Sequence, residues 1–257
     1  MRQLGWAFLF VTFVNWKATA QVADDLSKPQ PETAAKTHTP VDQLIPWLLD
    51  EDRQLRGIPF SEVIFDTTGK KVLPFDPKSE NDQRVRKHIS AALDQVMTQL
   101  NAPDSVIQNI PRINEVSSHF EDAMRATLTV PAEFSCEIPK TADGRLMRSG
   151  YPDMRLVDEK THRVYYLDPK LYARGSRDSS FRTFYFEPKM ATNKVRDDAV
   201  HFIVGFEHEP RDENGSWKFT RWDLVDLSQF KVKLKAEFQG SNHDMYRPEA
   251  IIATSAK

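Results

Sequence analysis

Gly150-Tyr151-Pro152-Asp153-Met154-Arg155-Leu156-Val157 is followed, after a polar turn, by Val164-Tyr165-Tyr166-Leu167-Asp168-Pro169-Lys170. Each half reads as a β-strand, a short run rich in apolar and β-branched or aromatic side chains. An acid opens the first strand, and a second acid and a lysine, two residues apart, end the next. Side chains on a strand repeat with period two, so Asp168 and Lys170 point to the same side of the sheet. If the two strands pair as a hairpin, Asp153 and Asp168 converge on one point. Two carboxylates so placed suit Mg²⁺, a hard ion that keeps several waters. A lysine beside them can orient an attacking water or help to deprotonate it. Charge neutralisation, an activated water and in-line positioning are what metal-assisted phosphodiester hydrolysis needs.

Outward from this hairpin the texture differs on the two sides. Upstream, Ser79 is placed to cap a helix whose apolar face is Val85, Ile89, Leu93, Val96 and Leu100, with a stop at Asn101-Ala102-Pro103. A second helix follows Pro111, with Ile113, Val116, Phe120, Met124 and Leu128 on one face. Val41–Leu49 reads as a short helix, and Phe60–Asp66, Thr67-Thr68-Gly69-Lys70 and Lys71–Phe75 together read as a β-hairpin. Downstream of Pro131 come strand-like runs at Phe134–Ile138, Pro152–Val157, Val164–Tyr172, Phe181–Phe186, His201–Phe206, Trp217–Asp226 and Val232–Phe238. Helices first and strands after, with little helix between strands, indicate an α+β fold.

The chain has 257 residues, 35 basic and 37 acidic, and a single cysteine, Cys136. An intrachain disulfide and any cysteine-based zinc cluster are therefore excluded. Residues 1–20 have the three parts of a secretory signal peptide: Arg2, an apolar run from Leu4 to Val14, and Ala18-Thr19-Ala20 as a small-x-small cleavage site. The run is too short to span a bilayer. The expectation is a secreted or periplasmic chain with no stable membrane association after cleavage. Residues 21–40 read as a flexible linker, 41–110 as an N-terminal extension and 111–257 as the core. Beyond residue 20 the net charge is −4, but Lys140–Arg196 holds 13 Lys and Arg against seven Asp and Glu. A basic stretch inside an acidic protein is a candidate anion-binding surface.

Pro152-Asp153 followed by Asp168-Pro169-Lys170 resembles the signature of the PD-(D/E)xK nucleases, the restriction-endonuclease-like superfamily. The likeness runs from about residue 110 to 240 and extends to Phe181-Arg182-Thr183-Phe184-Tyr185-Phe186 and Lys233-Leu234-Lys235-Ala236-Glu237-Phe238, which have the look of type II restriction enzymes. It implies a mixed β-sheet flanked by helices: one helix, a meander of strands carrying the acids, another helix and a further strand. It implies Mg²⁺-dependent cleavage of DNA, with double-stranded DNA as partner and 5′-phosphate and 3′-hydroxyl products. Asp153 and Asp168 would hold the metal, the carbonyl of Pro169 would add a ligand, and Lys170 would position the water. Members often add a Glu from the first core helix, here Glu115 or Glu121. At 100° per residue Glu121 lies about 90° from the centre of the apolar face and Glu115 nearly opposite it. An Asn-Glu pairing typical of the family favours Glu115, burial favours Glu121.

The acid-x-Lys triplet alone carries little weight, since it occurs four times: Asp76–Lys78, Asp158–Lys160, Asp168–Lys170 and Glu187–Lys189. Asp168 is preferred because it ends an apolar strand fifteen residues after a Pro-Asp, a natural hairpin separation. Glu187 is the competitor, and a surface salt bridge at a strand end is the structural alternative. Arg155, Arg174, Arg177 and Arg182 are candidate phosphate clamps, or else solvated charges. His201 reads as a structural histidine and Cys136 as a small buried hydrophobe. Besides the exported endonuclease, a catalytically inactive nucleic-acid-binding module of the same fold and a small-phosphodiester hydrolase fit the residues. A homodimer would suit cleavage of both strands.

Overall fold

In a computed structural model of the chain, residues 40–50, 55–180 and 184–255 are described. The expected signal peptide, nearly all of the linker and Arg182 lie outside the described residues. Helix α1 (Pro40–Asp50) forms where a helix was expected and spans a boundary between two units at Ile45/Pro46. The larger unit contains β1 (Arg56–Pro59), α2 (Phe60–Thr68), β2 (Val72–Leu73), α3 (Glu80–Leu100), α4 (Ile113–Leu128), β3 (Phe134–Glu137), β4 (Met154–Asp158), β5 (Arg163–Ala173), β6 (Ala199–His208), β7 (Phe219–Asp226), β8 (Lys231–Lys233) and α5 (Asn242–Met245).

A mixed sheet runs in the order β2-β6-β5-β4-β3, with β7 also paired to β6. β3, β4 and β5 form an antiparallel meander, β5 and β6 are parallel, and β6 and β7 antiparallel. The strand period of two sorts the side chains by face. Met154, Leu156, Tyr165, Leu167, Val200, Phe202, Val204 and Phe206 join Val85, Ile89, Leu93 and Val96 of α3 and Val116, Phe120 and Met124 of α4 in one core. Phe120 sits at its centre, 4.5 Å from the rings of both Phe206 and Phe219. The opposite face carries Val157, Val164, Tyr166 and Ala199 under Phe60 and Ile64 of α2, Tyr151 and Val195. α+β with helices on both faces of a mixed sheet is thus observed.

Buried charge ties α3 to the sheet. Ser79 caps α3 by accepting from the Asp82 N–H. Asp82, without exposed surface, accepts from Tyr165 at 2.8 Å and pairs with Arg163 at 3.1 Å, while Arg84 forms an ion pair with the equally buried Asp158. Because α3 shares the core with α4, the extension expected over 41–110 is, from Pro46 on, built into the same unit as residues 111–257.

Three local expectations are corrected. Residues 60–75 are not a hairpin. Phe60, Val63 and Ile64 have helical spacing, and Gly69, at φ +69°, ends α2 by donating its N–H to the Phe65 carbonyl. The run at Phe181–Phe186 is not a strand over its described residues 184–186. Phe184 and Phe186 instead pack their rings on Phe60 and Tyr151. Of Val232–Phe238 only the start is strand, β8, paired antiparallel to β1. The second core helix implied by the resemblance is also absent from residues 174–180 and 184–198 between β5 and β6. With Gly175, Pro188 and a cluster of aromatics, that stretch lacks a helical period and covers the sheet with rings instead.

Candidate functional site

β4 and β5 pair with Met154 opposite Leu167 and Arg155 opposite Tyr166, so one step further along the ladder Asp153 stands opposite Asp168. Both acids, with Lys170, project to the α2 side of the sheet, the face of Val164 and Tyr166. Asp168 is only 2% exposed. Burial, reinforced by the Asp168 charge, pushes Asp153 up to about 8, against the pull of Lys170. Asp168 Oδ2 is buried and forms an ion pair with the Lys170 ammonium, and among the described residues no other donor meets it.

Two facing carboxyls are oxygen donors of the kind a hard divalent cation takes. Pro169, between Asp168 and Lys170, has no N–H, so its backbone offers a ligand only the carbonyl. Among the described residues no cluster of three or more His, Cys, Asp or Glu is placed to hold a metal. The protein's share would be two carboxylates and a carbonyl, leaving positions for water.

The helical acids separate clearly. Glu115 is more than half exposed and stands 3.9 Å from Arg112. Glu121 is 17% exposed, lies 3.3 Å from Arg148, and adds its charge to those that raise Asp153. Of the two, Glu121 is the one whose charge reaches Asp153. The competing triplet stays in solvent, with Lys189 paired to Glu187 at 2.7 Å outside any strand.

The candidate clamps differ from one another. Arg155 is gripped by Asp197 through two hydrogen bonds of 2.8 and 3.0 Å and is only about a quarter exposed, so it joins β4 to the β5–β6 connection rather than facing solvent. Arg174, paired with Glu209 at 3.0 Å, and Arg177, with Asp223 at 3.2 Å, are both more than half exposed. His201 is buried, its Nδ1 2.7 Å from the Tyr151 hydroxyl, and burial lowers it to about 3, which keeps it neutral. Burial pushes the Cys136 thiol up to about 12, which leaves it unreactive at neutral pH.

Lys194 was not singled out from the sequence. Ala191-Thr192-Asn193-Lys194-Val195 reads as a polar loop, yet Lys194 has no exposed surface and senses Asp153, Asp168, Glu121 and Lys170. Nothing in its local sequence signals this.

The sequence profile of the Type II restriction enzyme MjaV family matches residues 53–249. The chain is similar to the Type II restriction enzyme MjaV of Methanocaldococcus jannaschii, 29% identical over 209 residues, covering 77% of this chain and 89% of that protein. No solved structure matches.

Proposed function

Because the chain belongs to the Type II restriction enzyme MjaV family, we propose that it is a DNA endonuclease that hydrolyses phosphodiester bonds at the Asp153–Asp168–Lys170 site with Mg²⁺. The observation that carries this reading is the convergence of Asp153 and Asp168, with Lys170 paired to Asp168, where β4 leaves the edge of β5 open. Asp153, Asp168 and the Pro169 carbonyl would hold the ion. When bound, it supplies positive charge against the phosphate as the P–O bond breaks. Lys170, tethered by Asp168, donates hydrogen bonds that orient the attacking water toward phosphorus. Glu121 takes the part of the helical acid for which Glu115 was the other candidate. Arg174 and Arg177, exposed near the end of β5, bind backbone phosphates of double-stranded DNA, and a homodimer would cut both strands.

The test is incubation of supercoiled, linear and single-stranded DNA with the purified chain, in Mg²⁺ or EDTA. Cutting should require Mg²⁺ and fall by about 100-fold or more in Lys170→Ala, while Lys189→Ala cuts like wild type. DNA binding without cutting by the wild type would instead favour the inactive binding module. Export, carried by residues 1–20, completes the proposal: chain recovered from outside the cytoplasm should begin at Gln21. Full-length chain found only in the cytoplasm would overturn it.

A further inference from the structure

The strand ladder holds one acid of the site more firmly than the other. Asp168 lies inside β5, paired with Ile203 of β6. Asp153 precedes Met154, the first residue of β4, and so stands just outside the strand pairing. Where its carboxylate lies therefore depends on the direction in which the preceding chain runs, and that chain needs an anchor of its own.

Two residues before Asp153, the Tyr151 hydroxyl meets His201 Nδ1 at 2.7 Å. Both side chains are buried, and their rings lie 17° from parallel with centroids 5.9 Å apart. Phe60 and Phe184 close edge-on against the Tyr151 ring at 5.5 and 5.2 Å. His201 belongs to β6, opposite Tyr166 of β5, and Tyr166 in turn faces Arg155 of β4. The bond thus reaches over β5 and fastens the chain ahead of β4 to the second strand across. Gly150, at φ +83°, makes the turn into Tyr151. Packing alone does not account for a histidine at this place. Its Nδ1 meets the hydroxyl, but its Nε2 is buried without a partner among the described residues, and an apolar side chain there would strand no polar atom.

We propose that His201 is a positioning residue for Asp153: its bond to the Tyr151 hydroxyl sets where the chain leaves the sheet and so holds the Asp153 carboxylate opposite Asp168 for the divalent cation. The inference rests on the cation-holding role proposed above for that pair. His201 acts through Tyr151 and Asp153, not on the cation or on DNA.

Tyr151→Phe removes the hydroxyl and keeps the ring, and His201→Leu removes the imidazole. Mn²⁺ binding to the full chain is measured by calorimetry for wild type, the two single variants and the double variant, and DNA cleavage in Mn²⁺ gives kcat and KM. Each single variant should loosen the Mn²⁺ Kd by about tenfold, the scale usual for a group that orients a metal ligand. The double variant should lose no more, since both changes remove the same bond. kcat should fall while the KM for DNA stays unchanged. Variants that melt lower but bind Mn²⁺ with wild-type affinity overturn the proposal and leave His201 a purely structural partner. Affinity losses that add up in the double variant overturn it as well. If His201→Leu does not fold, Tyr151→Phe decides alone, a looser Mn²⁺ Kd supporting the proposal and an unchanged one overturning it. Wild type that binds no Mn²⁺ refutes the cation site itself and the inference with it, an outcome distinct from wild-type affinity in the variants.

Discussion

Replacing Asp153 by Asn should stabilise the cation-free protein, and more so as the pH rises. In the fold, burial and the facing Asp168 charge bring Asp153 up to about 8 from an ordinary value of 3.8. The folded state therefore holds that proton more tightly than the unfolded chain. The stability it confers is whole below about pH 4 and is lost as the pH climbs to about 8. Each pKa unit is worth about 1.4 kcal/mol, which bounds the total at about 6 kcal/mol. Water reaching the partly open carboxyl screens this to about 2–3 kcal/mol. Asn keeps the shape and cannot ionise, so the variant avoids the cost. For a domain of this size the gain at pH 9 is roughly 5–10 °C in Tm. Thermal melts in EDTA from pH 5 to 9 should show the two proteins diverging as the pH rises, with the variant above. Saturating Mg²⁺ should lift wild type and leave the variant nearly unmoved. Parallel pH curves in EDTA, or an Asn variant that melts lower at pH 9, would refute the reasoning.

Two further outcomes concern the frame around the site. Arg84→Met should cost about 3 kcal/mol in urea unfolding at neutral pH, because it strands the Asp158 carboxylate, which has no exposed surface. Burial would raise Asp158, but the bonds from Arg84 and Thr161 outweigh it and hold it below the usual range. The Arg84 contribution is therefore lost as the pH falls below about 4, and the gap between variant and wild type should close there. Phe120→Ala should cost about 3–5 kcal/mol in the same assay, since it empties the space between Phe206 and Phe219 under α4.

Where a segment's neighbours in the chain were also its neighbours in space, its form was legible. α3 and α4 follow from helical spacing and a serine cap, and β3 to β7 from apolar runs, because each buries a face its own sequence defines. Residues 60–68 misled for a physical reason: Val63, Ile64, Phe65, Thr67 and Thr68 are strand formers by propensity. Burial of Phe60 and Ile64, one helical turn apart, outweighs a preference worth at most about 1 kcal/mol. Gly69, which reads as a hairpin turn, serves as a left-handed helix end, two roles that demand the same positive φ.

The site divides along the same line. The meeting of Asp153 with Asp168 needs only a hairpin register and the period of two, both local, and so the pair could be read from sixteen residues of sequence. Choosing between Glu115 and Glu121 required helical phase: a residue about 90° from the core face lies on the helix flank, beside the edge of the sheet, whereas one opposite the core can meet only solvent. Glu121 takes the first place and Glu115 the second. Lys194 is the limiting case. It bonds to the Met147 carbonyl, and its loop is anchored at Arg196 and Asp197 by Tyr166 and Arg155, all of them 28 or more residues from Lys194 in the chain. A fold assembled this way places its recognisable acids on strands and its buried lysine on a connection, where the sequence is free to look like any polar loop.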